Sequence, residues 1–138
     1  MDLAELIANP KWFQPRGYKT YSIHTVEEIL TILNESKTRK DLGKFLPPQN
    51  LAGRIVSVDG NRVLTYTKGL TCELCKRARV TFFAVQVNGG RPHLNAWGED
   101  EHGELVMFTS DHIIPKFRGG GGGLENRQPA CEIGRAHV

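Results

Sequence analysis

Three cysteines constrain this chain of 138 residues more than any other feature. Two stand as Cys72-Glu73-Leu74-Cys75 between strand-like segments, and the third is Cys131. A disulfide framework needs an oxidising compartment. The N-terminus carries Asp2 and Glu5 in place of a basic-then-apolar leader, so no secretory signal is visible and a soluble, cytoplasmic protein is expected. A redox pair should open a helix after a strand in a βαβ setting, whereas Cys75 is followed by Lys76, Arg77 and Arg79 among strand-like residues. Structural zinc needs four tetrahedral ligands, and Cys131 can supply a third. A zinc knuckle, a redox pair and incidental cysteines all stay open on these residues alone.

The length fits one ordinary domain or a domain with a small appendage. Hydrophobic residues make up 39% and charged residues 24%, which excludes wholesale disorder. No apolar run approaches the roughly 18 residues of a membrane span. The formal net charge of +3 falls entirely within residues 1–70. It permits a polyanionic partner without requiring one.

A short helix is expected over 3–8, ending before Pro10. Aromatic residues Trp12, Phe13, Tyr18 and Tyr21 follow, too many for a mere tail. Thr25 and Glu28 have capping-box spacing. Val26, Ile29, Leu30 and Leu33 then mark one buried face of a helix over about 25–36. Residues 37–50 read as a basic, turn-rich connector with Pro47-Pro48. Strand patterns at 54–58 and 62–66 flank Asp59-Gly60, predicting a hairpin there. Further strands are expected at 81–87, 93–97 and 105–108, with turns at 88–90 and 99–103. Five glycines fill 119–123.

Chemistry concentrates after residue 110. Ser110-Asp111-His112-Ile113-Ile114-Pro115-Lys116 puts a carboxylate and an imidazole at a strand end, on opposite faces because strand neighbours alternate. Downstream lie Gly119-Gly120, Leu124-Glu125-Asn126, Gln128-Pro129 and Cys131. Together with Cys72-x-x-Cys75, this array resembles the zinc-knuckle branch of the HNH endonuclease family across residues 72–131. That family's pattern runs C-x-x-C, D-H-I-I-P-K-x-R-G-G, then L-E-N-L-Q-P-x-C-x-x-C-N/H.

The resemblance implies an α+β fold. A ββα-metal nuclease core with a zinc knuckle would occupy residues 51–131. An α/β N-terminal region, 1–50, with a helix and with the hairpin beside it, would precede that core in an unknown role. It also implies that His112 is the general base and Asp111 a ligand for catalytic Mg²⁺ or Mn²⁺. Asn126 would hold the loop or orient His112, and Cys72, Cys75 and Cys131 would bind structural Zn²⁺. Lys76, Arg77, Arg79, Lys116 and Arg118 would neutralise phosphates of double-stranded DNA. A phage or mobile-element source and no membrane partner are expected.

The chain departs from the pattern after Cys131. The family places cysteine at position 134 and Asn or His at 135, where this chain has Gly134 and Arg135. His137 lies two positions further on, about 200° round a helix. Residues 132–138 match a translated sequencing-adapter string, so a non-native tail is expected, with a weak or inactive nuclease as the consequence. Arg127 stands where Leu is usual, and Gly121 to Gly123 replace polar residues. The competing reading is a zinc-stabilised DNA-binding module without cleavage, which would have no need of a base beside a metal ligand. An RNA-binding zinc ribbon lacks a stacking-aromatic motif to support it.

Overall fold

The computed structural model describes residues 2–132. Its expected features at Gly134, Arg135 and His137, and most of the tail, lie outside those residues. The described chain is α+β, with a five-stranded antiparallel sheet and few helices.

Helix α1, Leu3–Ala8, is capped by Asp2, whose carboxylate accepts from the Ala4 and Glu5 N–H groups. Strand β1, Lys19–Thr25, follows two short 3₁₀ turns. Helix α2, Val26–Asp41, starts at the expected cap, with the Glu28 N–H donating to the Thr25 hydroxyl. It runs five residues beyond the expected end near Ser36. The ion pairs Arg39–Glu35 and Lys37–Asp41, both 2.9 Å and i,i+4, support the extra turn. Gly43, at φ +72°, closes it by donating to the Lys40 carbonyl.

The hairpin expected around Asp59-Gly60 lies elsewhere. Strands β2, Gln49–Leu51, and β3, Arg54–Val56, pair across Ala52-Gly53. A two-residue type I′ turn needs positive φ at both central positions, and Ala52 (52°) and Gly53 (93°) supply it. Gly60 instead has φ −77° and leads into helix α3, Asn61–Leu64, followed by a 3₁₀ turn at Thr65–Thr67. This helical path buries Val63, Leu64 and Tyr66 together, which a strand at 62–66 would have split between two faces.

Strands β4 (Arg79–Val87), β5 (His93–Glu99), β6 (Leu105–His112) and β7 (Arg127–Cys131) complete the main sheet in the order β1-β4-β5-β6-β7. Residues 1–50 therefore contribute a strand to the same sheet as the cysteine-bearing part. One sheet face carries Phe83, Val85, Leu94, Val106 and Phe108 against Ile29 and Leu33 of α2 and Leu64 and Tyr66. The other carries Ile23, Phe82, Ala84, Trp97 and Met107, covered by Leu3, Leu6 and Phe13. Phe13 meets Trp97 edge-on at 4.8 Å and Phe82 at 5.6 Å. Among the described residues, no helix is long and apolar enough to cross a membrane.

Candidate functional site

The three cysteines come together from distant parts of the sequence. Cys131 ends β7, while Cys72 and Cys75 sit in the turn before β4. The Glu73 N–H donates to the Pro129 carbonyl and fastens that turn to β7. The three sulfurs lie within 4.8 Å of one another, and Cys75 Sγ is 3.6 Å from Cys131 Sγ. A tetrahedral zinc with Zn–S near 2.3 Å requires sulfurs about 3.8 Å apart. The Cys75–Cys131 separation matches that spacing, and all three sulfurs fall within 4.8 Å of one another.

The surroundings suit thiolates. Cys72 Sγ accepts from the N–H groups of Cys131 (3.2 Å) and Cys75 (3.4 Å), and Cys75 Sγ from that of Arg77 (3.4 Å). Burial pushes the Cys75 thiol up, but hydrogen bonds from the Arg77 and Ala78 backbone and from Cys72 and Cys131 outweigh it and hold its pKa below the ordinary value. Thiolate is the form that binds metal. Three cysteines this close can bind a metal ion such as zinc, and among the described residues they are the one such group of three.

The second half of the site is the β6–β7 hairpin. His112 pairs with Arg127 and Asp111 with Gln128. Directly opposed residues share a face and neighbours alternate, so His112 and Asp111 go to opposite faces. Both are half-buried. The Thr109 hydroxyl donates to Asp111 Oδ1 at 3.3 Å. Four residue steps separate Cys131 from Arg127, placing the cysteines about 13 Å along the strand from His112.

Asn126 organises the loop between these strands. Its Oδ1 accepts from the Ile114 N–H (2.8 Å), and its Nδ2 donates to the carbonyls of Ile114 (3.0 Å) and Gly121 (2.7 Å). Its own carbonyl accepts from the Ile113 N–H at 2.8 Å. Asn126 is buried, and its contacts hold the loop backbone immediately after His112. Two of the five glycines are required here. Gly119 takes φ +89°, and a Cβ on Gly120 would stand 2.6 Å from the Ile114 carbonyl carbon and 2.9 Å from Asn126 Nδ2.

The basic residues divide into two sets. Lys76 is ion-paired with Glu73, and Arg77 with Glu101 at 3.2 Å, while exposed Arg79 pairs in register with Glu99. Lys116 and Arg118 are exposed on the loop that Asn126 holds, with Arg118 5.6 Å from the Phe117 ring centroid. Sequence reasoning gave no role to Arg62 and Tyr66, having read them as strand residues. With Arg127 they line a cleft beside the hairpin.

Comparison with family models, curated proteins and solved structures finds no match.

Proposed function

We propose that this chain is an HNH-type endonuclease hydrolysing DNA phosphodiester bonds, in a form whose activity is weak or absent. The observation that carries the reading is the Asn126 clamp on the backbone after Asp111-His112. A side chain that fixes a loop by three bonds gives His112 a defined position at the end of β6. In this reading neutral His112 takes the proton of an attacking water, as imidazole can near pH 7. Exposed Lys116 and Arg118 meet phosphates on the same loop. Lys76 and Arg77, already ion-paired, contribute less. Cys72, Cys75 and Cys131 would hold a structural zinc, which when bound ties β7 to the turn before β4.

The described residues do not by themselves make a site for Mg²⁺ or Mn²⁺. Asp111 offers the hard oxygen such ions prefer, yet Asp111 and His112 belong to no group of three ligating side chains. That shortage favours a second reading, a zinc-stabilised DNA-binding module without cleavage. Nicking of supercoiled plasmid in Mg²⁺ and in Mn²⁺ separates the two. The chain is compared with its Gly134→Cys/Arg135→His variant, which restores the family's residue types. Metal-dependent nicking by the variant, at least tenfold faster than by the chain, is expected. No nicking by either, with duplex binding retained, supports the binding module.

A further inference from the structure

Strands β5 and β6 pair only as far as Trp97 and Met107. Beyond that point β6 leaves β5 to pair with β7, and a cleft of about 160 Å³ opens between them. Its walls include Leu94 and Ala96 of β5, Thr109 and Ser110 of β6, Tyr66, and two arginines from opposite sides, Arg62 and Arg127. Arg127 is the register partner of His112, so the cleft adjoins the end of β6 that carries the candidate base.

Both guanidiniums are held loosely by uncharged acceptors. Arg62 donates to Asn95 Oδ1 and the Leu94 carbonyl, each at 3.4 Å. Arg127 donates to the Ser110 carbonyl (3.4 Å), the Ser110 hydroxyl (3.3 Å) and the Gly122 carbonyl (3.5 Å). These are long bonds for N–H···O, and a guanidinium has five donors. Two permanent positive charges face one cleft, with Asp111 the acidic group felt at the cleft's Tyr66. An incoming phosphate would exchange long bonds to uncharged acceptors for short ones in which both partners are charged, bidentate from each fork. Arg62 is exposed and free to turn toward it.

We propose that Arg62 and Arg127 form a clamp for a backbone phosphate of DNA in the cleft between β5 and β6, beside the Asp111-His112 end and distinct from it. The identity of the anion rests on the nuclease reading; the existence of the clamp does not. Its arginines act as positioning residues, fixing the register of the duplex on the hairpin.

Titration of the full chain with inorganic phosphate, followed at the arginine side-chain Nε–H resonances, tests the clamp. Arg62 and Arg127 are expected to shift together and saturably. A short duplex should then displace the phosphate from the same two resonances. Arg62→Gln, at an exposed position, and Arg127→Leu should each lower the slope of log affinity against log salt by about 0.9, the value for one lost phosphate contact. Amide spectra of both variants report whether the fold is kept, and Arg127→Lys keeps the charge while removing the fork. Phosphate binding that duplex fails to displace overturns the DNA assignment. Unmoved Arg62 and Arg127 resonances overturn the clamp. A working clamp in a completed variant that never cuts DNA instead removes the nuclease reading and leaves the clamp standing.

Discussion

Asn126 and Ile114 face each other through a reciprocal pair of hydrogen bonds, the Ile114 N–H to Asn126 Oδ1 at 2.8 Å and Asn126 Nδ2 back to the Ile114 carbonyl at 3.0 Å. A side-chain amide here completes a ladder that the backbone has abandoned, since β6 has ended at His112. The third bond, to the Gly121 carbonyl, draws the far arm of the loop into the same clamp. Asn→Ala at position 126 removes all three, each worth about 1 kcal/mol, and leaves the part-buried Ile114 N–H without its acceptor. Denaturant unfolding should show a loss of about 2–3 kcal/mol, and hydrogen exchange at Ile114 should accelerate. Asn126→Asp keeps the acceptor and turns an oxygen toward two carbonyls, so it should rescue little.

The glycines of the same loop should respond unequally. Gly120→Ala would drive its methyl into the Ile114 carbonyl, a backbone group that cannot swing aside. It should destabilise by more than 1 kcal/mol, within the range typical of overpacking. Gly121→Ala and Gly122→Ala meet nothing within 4 Å and should be neutral or slightly stabilising, because alanine restricts the unfolded chain. Thermal midpoints of the three variants side by side check this ordering.

How far the sequence discloses this structure depends on which side chains are buried. The Thr25 cap and the strands at β4 to β6 are legible because their chemistry is local or their apolar content is high. Strand β1 is not, since three of its four buried positions, Thr20, Ser22 and His24, are polar and only Ile23 is apolar. Each is satisfied only by tertiary or neighbouring partners. Gln86 donates to the Thr20 hydroxyl at 3.0 Å, and His24 lies between Ser22 (2.7 Å) and Glu28 (3.0 Å). The hairpin is not legible either, because Asp59-Gly60 carries the turn composition while Ala52-Gly53 carries the turn conformation. Among site residues, the cysteines and Asn126 are legible from spacing and resemblance. Arg62 and Tyr66 enter the cleft only because residues 61–67 are helical, which no periodicity in so short a stretch reveals.

The cysteine cluster predicts metal content. Purified chain should carry about one zinc per molecule, and a chelator should remove it with a fall in the thermal midpoint. Cys131→Ser should lower zinc retention, because it removes one of three close sulfurs. A fourth thiolate from Gly134→Cys should raise retention toward that of four-coordinate sites. Elemental analysis after gel filtration provides the measurement. Metal-free protein with an unchanged midpoint would show that the sulfurs are simply packed together.

Tyr66 predicts an alkaline limit to stability. Burial pushes its hydroxyl pKa well up, partly opposed by Arg62 and reinforced by Asp111. The folded state therefore keeps the proton after the unfolded chain has lost it near pH 10. Above that pH the unfolded state binds fewer protons, so stability falls by about 1.4 kcal/mol per pH unit from this group, until the folded protein also ionises. The contribution is fully present below about pH 10. Denaturant midpoints between about pH 9 and pH 11 should fall more steeply for the chain than for Tyr66→Phe.

As proposed, His112 is a base held for hydrolysis of DNA, and single-turnover cleavage tests that role most directly. The Gly134→Cys/Arg135→His chain is compared with the same chain carrying His112→Ala, with duplex affinity at fixed salt as the control. Loss of general-base assistance should slow cleavage by about 10²–10⁴, while affinity changes little because phosphate contacts come from other residues. Cleavage by the His112→Ala protein at the parent rate would contradict the account and make the imidazole structural.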